Sequence, residues 1–581
     1  MATTSSTNSA ALDSIPSRHH PLMTSRGLLS VVAAFALLAF SWHFAEIRPG
    51  VLLRPSTAAI WTFVCRLFPP DVSPEFLHTV LKAVAQTIAT AVAGTLLSLT
   101  IALPLGVLAT GTLWNRGVLA PADDGFVYRI GWIASRLSRT ILGFLRAVPD
   151  LVWALLFVAA VGLGSLAGTL AIAVGYSGVL GRVYADVFEH VDPRPLEALQ
   201  STGATRMQIF LRGIWPQALP HLTAYTLYSF ECCVRAAAVL GFVGAGGIGY
   251  EISISMRMFD YGQVLTLLLV FILLLIVTDA ASRHLRARSA SRATNATEIR
   301  PEDRTALEVL TSKSRRLVVW ITVLSLSVAS FAFSGFSPEA ILQVGIAGRL
   351  TDFVGRMFPL DLSWAFASTL GTALLQTIAI SLMGTLIGIA FAVILAIPAT
   401  STLTLVYGDA PGKRGVPDRV LRWLLFWSAR LGLNILRSIP ELVWVLICIL
   451  AVGIGPFAGT IALGLHTAGV LGKLYAETME EVPLKPVEAM RSLGASPLQV
   501  LLWAIWPQAR PLLSSYTVLR WETNLRASTI LGLVGGGGLG QVIYNNVQLG
   551  FYPRLTTLIL LIYALVLASD WIGERLRLQV A

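Results

Sequence analysis

Apolar runs recur along the chain at about residues 27–45, 77–109, 141–161, 165–180, 222–243 and 263–281. They recur again at about 317–335, 367–398, 432–453, 457–472, 513–534 and 553–571. Polar, mostly basic segments separate them. A helix rises ~1.5 Å per residue, so about 20 apolar residues cross the ~30 Å of hydrocarbon in a bilayer. The ~10-residue segments of alternating polarity that barrel strands require are missing. The pattern predicts an all-α, polytopic membrane protein with about twelve transmembrane helices. The fourth and tenth runs are short and contain Gly175, Gly178, Gly464 and Gly469, which predicts close burial by neighbouring helices.

The two sets of six runs are copies of one unit. Gln86-Thr87-Ile88-Ala89 returns 290 residues later as Gln376-Thr377-Ile378-Ala379, and from Leu145 onward the shift is 291. Between 145–184 and 436–475, 20 of 40 residues are identical, with Pro149/Pro440 and Trp153/Trp444 in register. An even number of spans per copy makes the repeats parallel, related by an axis along the membrane normal. The expected organisation is a first repeat over 1–283, a linker over 284–316 and a second repeat over 317–581.

Composition agrees: of 581 residues, 55% are hydrophobic and 13% charged, where a soluble domain carries roughly 25% charged residues. The net charge of +11 raises the question of an acidic partner. With the N-terminus inside, however, 32 of the 43 Lys and Arg residues fall in inside segments and 8 outside. That asymmetry predicts both termini in the cytoplasm and removes the case for nucleic acid. The first run has signal-peptide character, but Leu317–Phe333 repeats it in mid-chain, so a retained anchor is expected.

Two matched segments stand out between spans: EALQSTGATRMQIFLRGIWPQALP (197–220) and EAMRSLGASPLQVLLWAIWPQARP (488–511). Glu197-Ala198 and Glu488-Ala489 are expected to open a helix, Gly203 and Gly494 to turn it, and Pro216 and Pro507 to stop it. A short helix beside a tight turn suits a groove on another protein.

At these residues the chain resembles the membrane subunits of ABC importers, whose Glu-Ala-Ala loop with a following Gly is the coupling helix. The third position here is Leu199 or Met490. LRSIPELVW, AGVLGKLYAE, LRWETNLRAST and LGLVGGGGLG, with their first-half counterparts, resemble the phosphonate-transport subfamily. The resemblance covers most of both halves, from about 77 to 281 and from 367 to 571. It implies a type I ABC importer permease fold with two permease domains fused in one chain. It also implies a bacterial inner-membrane location, two copies of a cytoplasmic ATPase that binds the ATP, and an external phosphonate- or phosphate-binding protein. The substrate it implies is a phosphonate, phosphite or phosphate. A gradient-driven secondary transporter of 6+6 architecture is the rival reading.

Gly244–Gly249 and Gly535–Gly540 fit G-x-G-x-x-G but follow no strand, so a close helix crossing or a loop at the mouth is expected. No P-loop pattern occurs. Glu231/Arg235 and Glu522/Arg526 are spaced four apart on their helices. They either hold helices together or line an anion path, and the two arginines are expected to face each other across the axis. Asp150 and Glu441 are expected to stabilise helix starts, and Gln86 and Gln376 to bond across helices. His and Cys spacing suggests no metal site or disulfide, and no catalytic arrangement stands out.

Overall fold

The computed structural model describes residues 25–47, 50, 65–114, 126–298, 324–334, 344–406 and 416–580, and these form helices, turns and short connections. The first repeat contains α1 (Ser25–Phe44), α2 (Pro74–Ala109), α3 (Phe126–Ala147), α4 (Asp150–Val161) and α5 (Ser165–Glu189). It continues with α6 (Pro193–Ser201), α7 (Trp215–Leu240), α8 (Ile248–Arg257) and α9 (Tyr261–Glu298). The second contains α10 (Val344–Arg356), α11 (Trp364–Ala399), α12 (Val416–Ser438), α13 (Glu441–Val452) and α14 (Pro456–Glu480). It ends with α15 (Leu484–Ser492), α16 (Trp506–Leu531), α17 (Gly538–Gln548) and α18 (Tyr552–Val580).

Among the described residues seven helices are long and apolar enough to cross a membrane, or up to ten spans when three bent pairs are each counted as one. The first run is the 20-residue α1, and the described part of the seventh, 324–333, is also helical. Ten of the expected twelve runs are thus straight or bent spans among the described residues, and helix occupies the other two as far as they are described. The fourth and tenth runs are not short: α5 and α14 have 25 residues each. The sixth run continues as helix to Glu298, through residues 284–298 of the expected linker; residues 299–316 lie outside the described ones.

The third run is not one straight span. Between α3 and α4 the axis turns by 87°, and between α12 and α13 by 92°. Pro149 has no N–H, so the Leu145 carbonyl loses its helical donor. The Trp153 indole replaces it, donating Nε1–H to Leu145 O at 3.4 Å, and Trp444 does the same to Leu436 O at 3.3 Å. This is why the Pro and Trp recur together: in lipid an unmet carbonyl has no water to turn to. The bend lies directly on α5. A Cβ on Gly178 would sit 2.5 Å from Arg146 N, and one on Gly469 2.5 Å from Arg437 N.

Packing is unequal along the axis. At the end holding the glycine loops, one apolar core runs through both repeats and includes Leu155, Ile252, Phe271, Leu539, Leu558 and Val566, beside a smaller core of the second repeat around Ile380, Leu463 and Leu531. At the other end each repeat has its own core, around Tyr184 and Ile214 in the first and around Tyr475 and Ile505 in the second. α1 crosses over, its last residue Phe44 and the following Ala45 packing against Ala379 and Met383 of α11. By contact it belongs to the second repeat, although sequence order places it in the first.

The segments leading into α2 and α11 are pinned alike. Asp71 accepts from Ser73 N at 2.9 Å and Gln263 Nε2 at 3.3 Å; Asp361 accepts from Ser363 N at 3.0 Å and Arg554 Nε at 2.8 Å. The Arg554 guanidinium and the Ser363 amide hold the Asp361 carboxyl down to about 2.

Trp153→Phe keeps the ring and removes the donor. Loss of one net hydrogen bond costs about 1–2 kcal/mol, so the melting temperature in detergent should fall by a few degrees, and the double variant with Trp444→Phe should fall further.

Candidate functional site

Both predicted loops fold into the same device. α6 starts at Pro193, not at Glu197, with Asp192 accepting from Arg194 N at 3.0 Å. It ends in a left-handed Gly203 (φ 78°), whose N–H bonds Gln200 O at 2.9 Å while Ala204 N bonds Leu199 O at 3.2 Å. That pair of bonds is a Schellman end, which needs a residue free to take positive φ. The second copy matches: Gly494 (φ 78°) bonds Arg491 O at 2.9 Å, and Ala495 N bonds Met490 O at 3.1 Å. The Gly six residues after Glu-Ala is therefore a helix stop.

A capping box then restarts the chain. Thr205 and Gln208 exchange bonds in the first copy, as do Ser496 and Gln499 in the second. This T/S-x-x-Q signal was present in the sequence and went unread. Contrary to expectation, Pro216 and Pro507 do not stop the helix. Trp215 N reaches Phe210 O five residues back, and Trp506 N reaches Leu501 O, so a π-turn admits Pro216 and Pro507 at the first turn of α7 and α16. The helix then runs on, giving one segment from Arg206 to Arg257. Glu197, Ala198, Gly203 and Pro216 are exposed, as are Glu488, Ala489, Gly494 and Pro507. Only Leu196 of α6 and Val487 of α15 are buried. Leu196 faces Gly213 and Val487 stands where Ala504 replaces that Gly, so side-chain volume is traded between the copies. Arg139–Glu189 and Arg430–Glu480 (2.7 Å) brace the same end; sequence reasoning did not single them out.

The intramembrane charges differ between the copies. Glu231 lies 3.8 Å from Arg235, as the spacing predicted, and 3.7 Å from Arg286 on α9. Glu522 and Arg526 do not form the expected pair. Glu522 binds Arg577, and Arg526 binds Asp570 at 2.6 Å, both partners lying on α18. Asp570 also holds Arg146 of the first repeat at 3.0 Å, so it joins the repeats. Its counterpart Asp279 pairs with Arg283 on its own helix at 2.8 Å. Arg235 is 48% exposed and Arg526 28%. Asp150 starts α4 and lies over Gly175, where a Cβ would be 2.4 Å from its Oδ1. The second copy instead pairs Glu441 with His466 at 3.6 Å, and His466 stands at the position of Gly175.

The glycine motifs lie at the opposite end from the loops. Gly244 and Gly535 take φ 97° and 98°, and their carbonyls accept from Gly164 N (2.9 Å) and Gly455 N (3.0 Å). Thr87 and Thr377 accept from Ile248 N (3.0 Å) and Leu539 N (2.9 Å). Gln86 and Gln376 accept from Gly247 N and Gly538 N, each at 3.3 Å, so the polar pair on α2 and α11 anchors the helix break. No group of three or more His, Cys, Asp or Glu able to hold a metal occurs among the described residues.

The family described as binding-protein-dependent transport system inner membrane component matches residues 117–291 and 416–580, one stretch per repeat. The phosphate-import permease protein PhnE of Mycolicibacterium smegmatis is 31% identical over 550 residues, 93% of each chain. The putative phosphite transport system permease protein HtxC of Stutzerimonas stutzeri is 37% identical over 262 residues, 45% of this chain and 86% of its own. One relative is thus similar along the whole chain, and the other spans about one repeat. Among solved structures, a MetNI methionine ABC transporter in an inward-facing conformation is 24% identical, with a TM-score of 0.32 over 38% of this chain and 100% of its own.

Asp570→Asn leaves two arginines from two repeats without their shared counter-charge, whereas Asp279→Asn frees one arginine of its own helix. The first should lower thermal stability in detergent clearly more than the second.

Proposed function

The chain belongs to the family of binding-protein-dependent transport system inner membrane components, and on that premise we propose how it works. It is the permease of an ATP-driven ABC importer for a phosphonate or a related phosphorus oxyanion such as phosphite or phosphate. The observation that carries the mechanism is the duplicated helix–Schellman–capping-box device, presented twice at one end and exposed. A separate ATPase subunit docks at each copy, binds the ATP and moves α6 and α15. The sequence has no P-loop of its own, so the chain acts as a transport subunit without ATPase activity or cofactor.

The loop end is cytoplasmic, in keeping with the excess of Lys and Arg there, and both termini lie on that side of the inner membrane. The glycine end faces the external binding protein. A core shared at the glycine end and divided at the loop end is the shape of a passage closed outside and open inside. Closure of the ATPases would draw the loop ends together and part the shared core. Of the intramembrane candidates, Arg235 has the freer guanidinium and lines the path, where a forked donor suits phosphorus-bound oxygens. Glu231, Glu522 and Arg526 hold helices in place.

Proteoliposomes holding the chain, its ATPase and its binding protein should take up phosphite or methylphosphonate only with ATP inside the ATPase compartment. Uptake by the chain alone under an ion gradient would favour the secondary-transporter reading. Ala198→Arg with Ala489→Arg should reduce ATPase co-purification at least tenfold. Arg235→Ala should cut uptake while the ATPase stays bound.

A further inference from the structure

The repeats match closely in fold, yet their glycine ends differ in charge. A cavity of about 490 Å3 opens there between the repeats, lined by Phe242, Tyr250 and Arg257 from the first and by Tyr544, Gln548 and Tyr552 from the second. A second cavity of about 460 Å3 adjoins it through Leu163, Gly244 and Tyr250, and adds His78, Lys82 and Glu251. Lys82 and Arg257 are exposed and form no direct ion pair among the described residues, Lys82 facing Glu251 closely enough for their charges to interact. Two fixed cations thus stand against the single carboxylate of Glu251 in the paired space.

The second repeat has no such charges. At the positions equivalent to His78, Lys82, Glu251 and Arg257 it carries Ser368, Thr372, Val542 and Gln548. Of its cations at this end, Arg554 is held by Asp361 and lies over Phe366 and Phe551, while Arg349 and Arg356 on α10 are not among the residues that line the two cavities. A permease made of two identical subunits would have to present the same charges on both sides. The fused chain places them on one side only, around a cavity that both repeats close.

We propose that the paired cavities are a receiving site for the phosphorus oxyanion at the outer mouth, with Lys82 and Arg257 as its counter-charges. This rests on the transport reading above. Lysine supplies a mobile point charge and arginine a planar fork that can take two oxygens. A cleft with apolar walls such as Phe242 and Leu163 concentrates their field, raising the local anion concentration. The oxyanion released by the binding protein rests here until the shared core parts. Arg235 then takes it deeper.

The test uses the whole complex in proteoliposomes, with phosphite and methylphosphonate as probes. The variant His78→Ser/Lys82→Thr/Arg257→Gln installs the second repeat's own residues at equivalent positions, which the fold already accommodates there. Uptake should fall at least tenfold, while stimulation of ATP hydrolysis by the loaded binding protein stays within twofold. Lys82→Arg/Arg257→Lys should keep uptake within about threefold. Wild-type uptake in the triple variant overturns the site and leaves the transport reading intact. Loss of binding-protein stimulation along with uptake assigns the cations to docking that protein and also overturns the site. Failure of the charge-conserving variant equal to that of the triple variant has the same consequence. Absence of ATP-driven uptake by the wild-type complex refutes the transport reading and the site with it. If the triple variant does not assemble with the ATPase, Arg257→Gln alone, at an exposed position, decides by the same criteria.

Discussion

The structure depends on a helix broken inside the membrane without an unmet carbonyl. Pro149 and Pro440 break the backbone ladder, and the indoles of Trp153 and Trp444 take up the carbonyls left behind. Without that bond the bend of about 90° would expose a polar group to hydrocarbon. With it, α3 and α12 can lie against α5 and α14 at the contact points of Gly178 and Gly469. The bend also brings Arg146 within reach of Asp570 and sets Asp150 and Glu441 at the start of the helix that follows. The charges therefore stand where they do because of a proline–tryptophan pair nine residues wide, from carbonyl to indole.

Around that shared frame the two repeats have parted in charge. One half bridges Arg146, Asp570 and Arg526 across the repeat boundary; the other keeps Asp279 on its own helix. One half fills the space above the break with Glu441–His466, where the other has Asp150 against Gly175. The glycine end carries Lys82 and Arg257 on one side only. Fusion is what permits this, since the two positions of a symmetric pair can change separately once they occupy one chain.

Much of the candidate site was legible. The duplicated Glu-Ala and Gly residues of the loops were readable because a Schellman end demands a residue tolerant of positive φ at a set distance from the helix, and duplication separated that demand from chance. The capping boxes were equally present at Thr205–Gln208 and Ser496–Gln499. The role of Pro216 and Pro507 was misread because proline normally ends a helix; a π-turn, which no local pattern announced, lets the chain continue. The pairing of Glu522 with Arg577 and of Arg526 with Asp570 was hidden for a different reason. Spacing of four nominates neighbours on one helix, whereas a neighbouring helix can offer better geometry.

The amino-acid sequence alone determined that this is an all-helical membrane protein built from one unit written twice, with a matched polar loop between spans in each copy. Those properties follow from local physics: hydrophobic length, basic flanks, and turn residues that act within a few positions of themselves. Tertiary structure alone decided that α1 packs on the opposite repeat and that the core is shared at one end and divided at the other. It also decided which carboxylate each of Arg146, Arg235, Arg526 and Arg577 meets. These depend on contacts between residues hundreds of positions apart, and charge pairing in a low-dielectric interior is settled by distance in space, which a linear pattern does not carry.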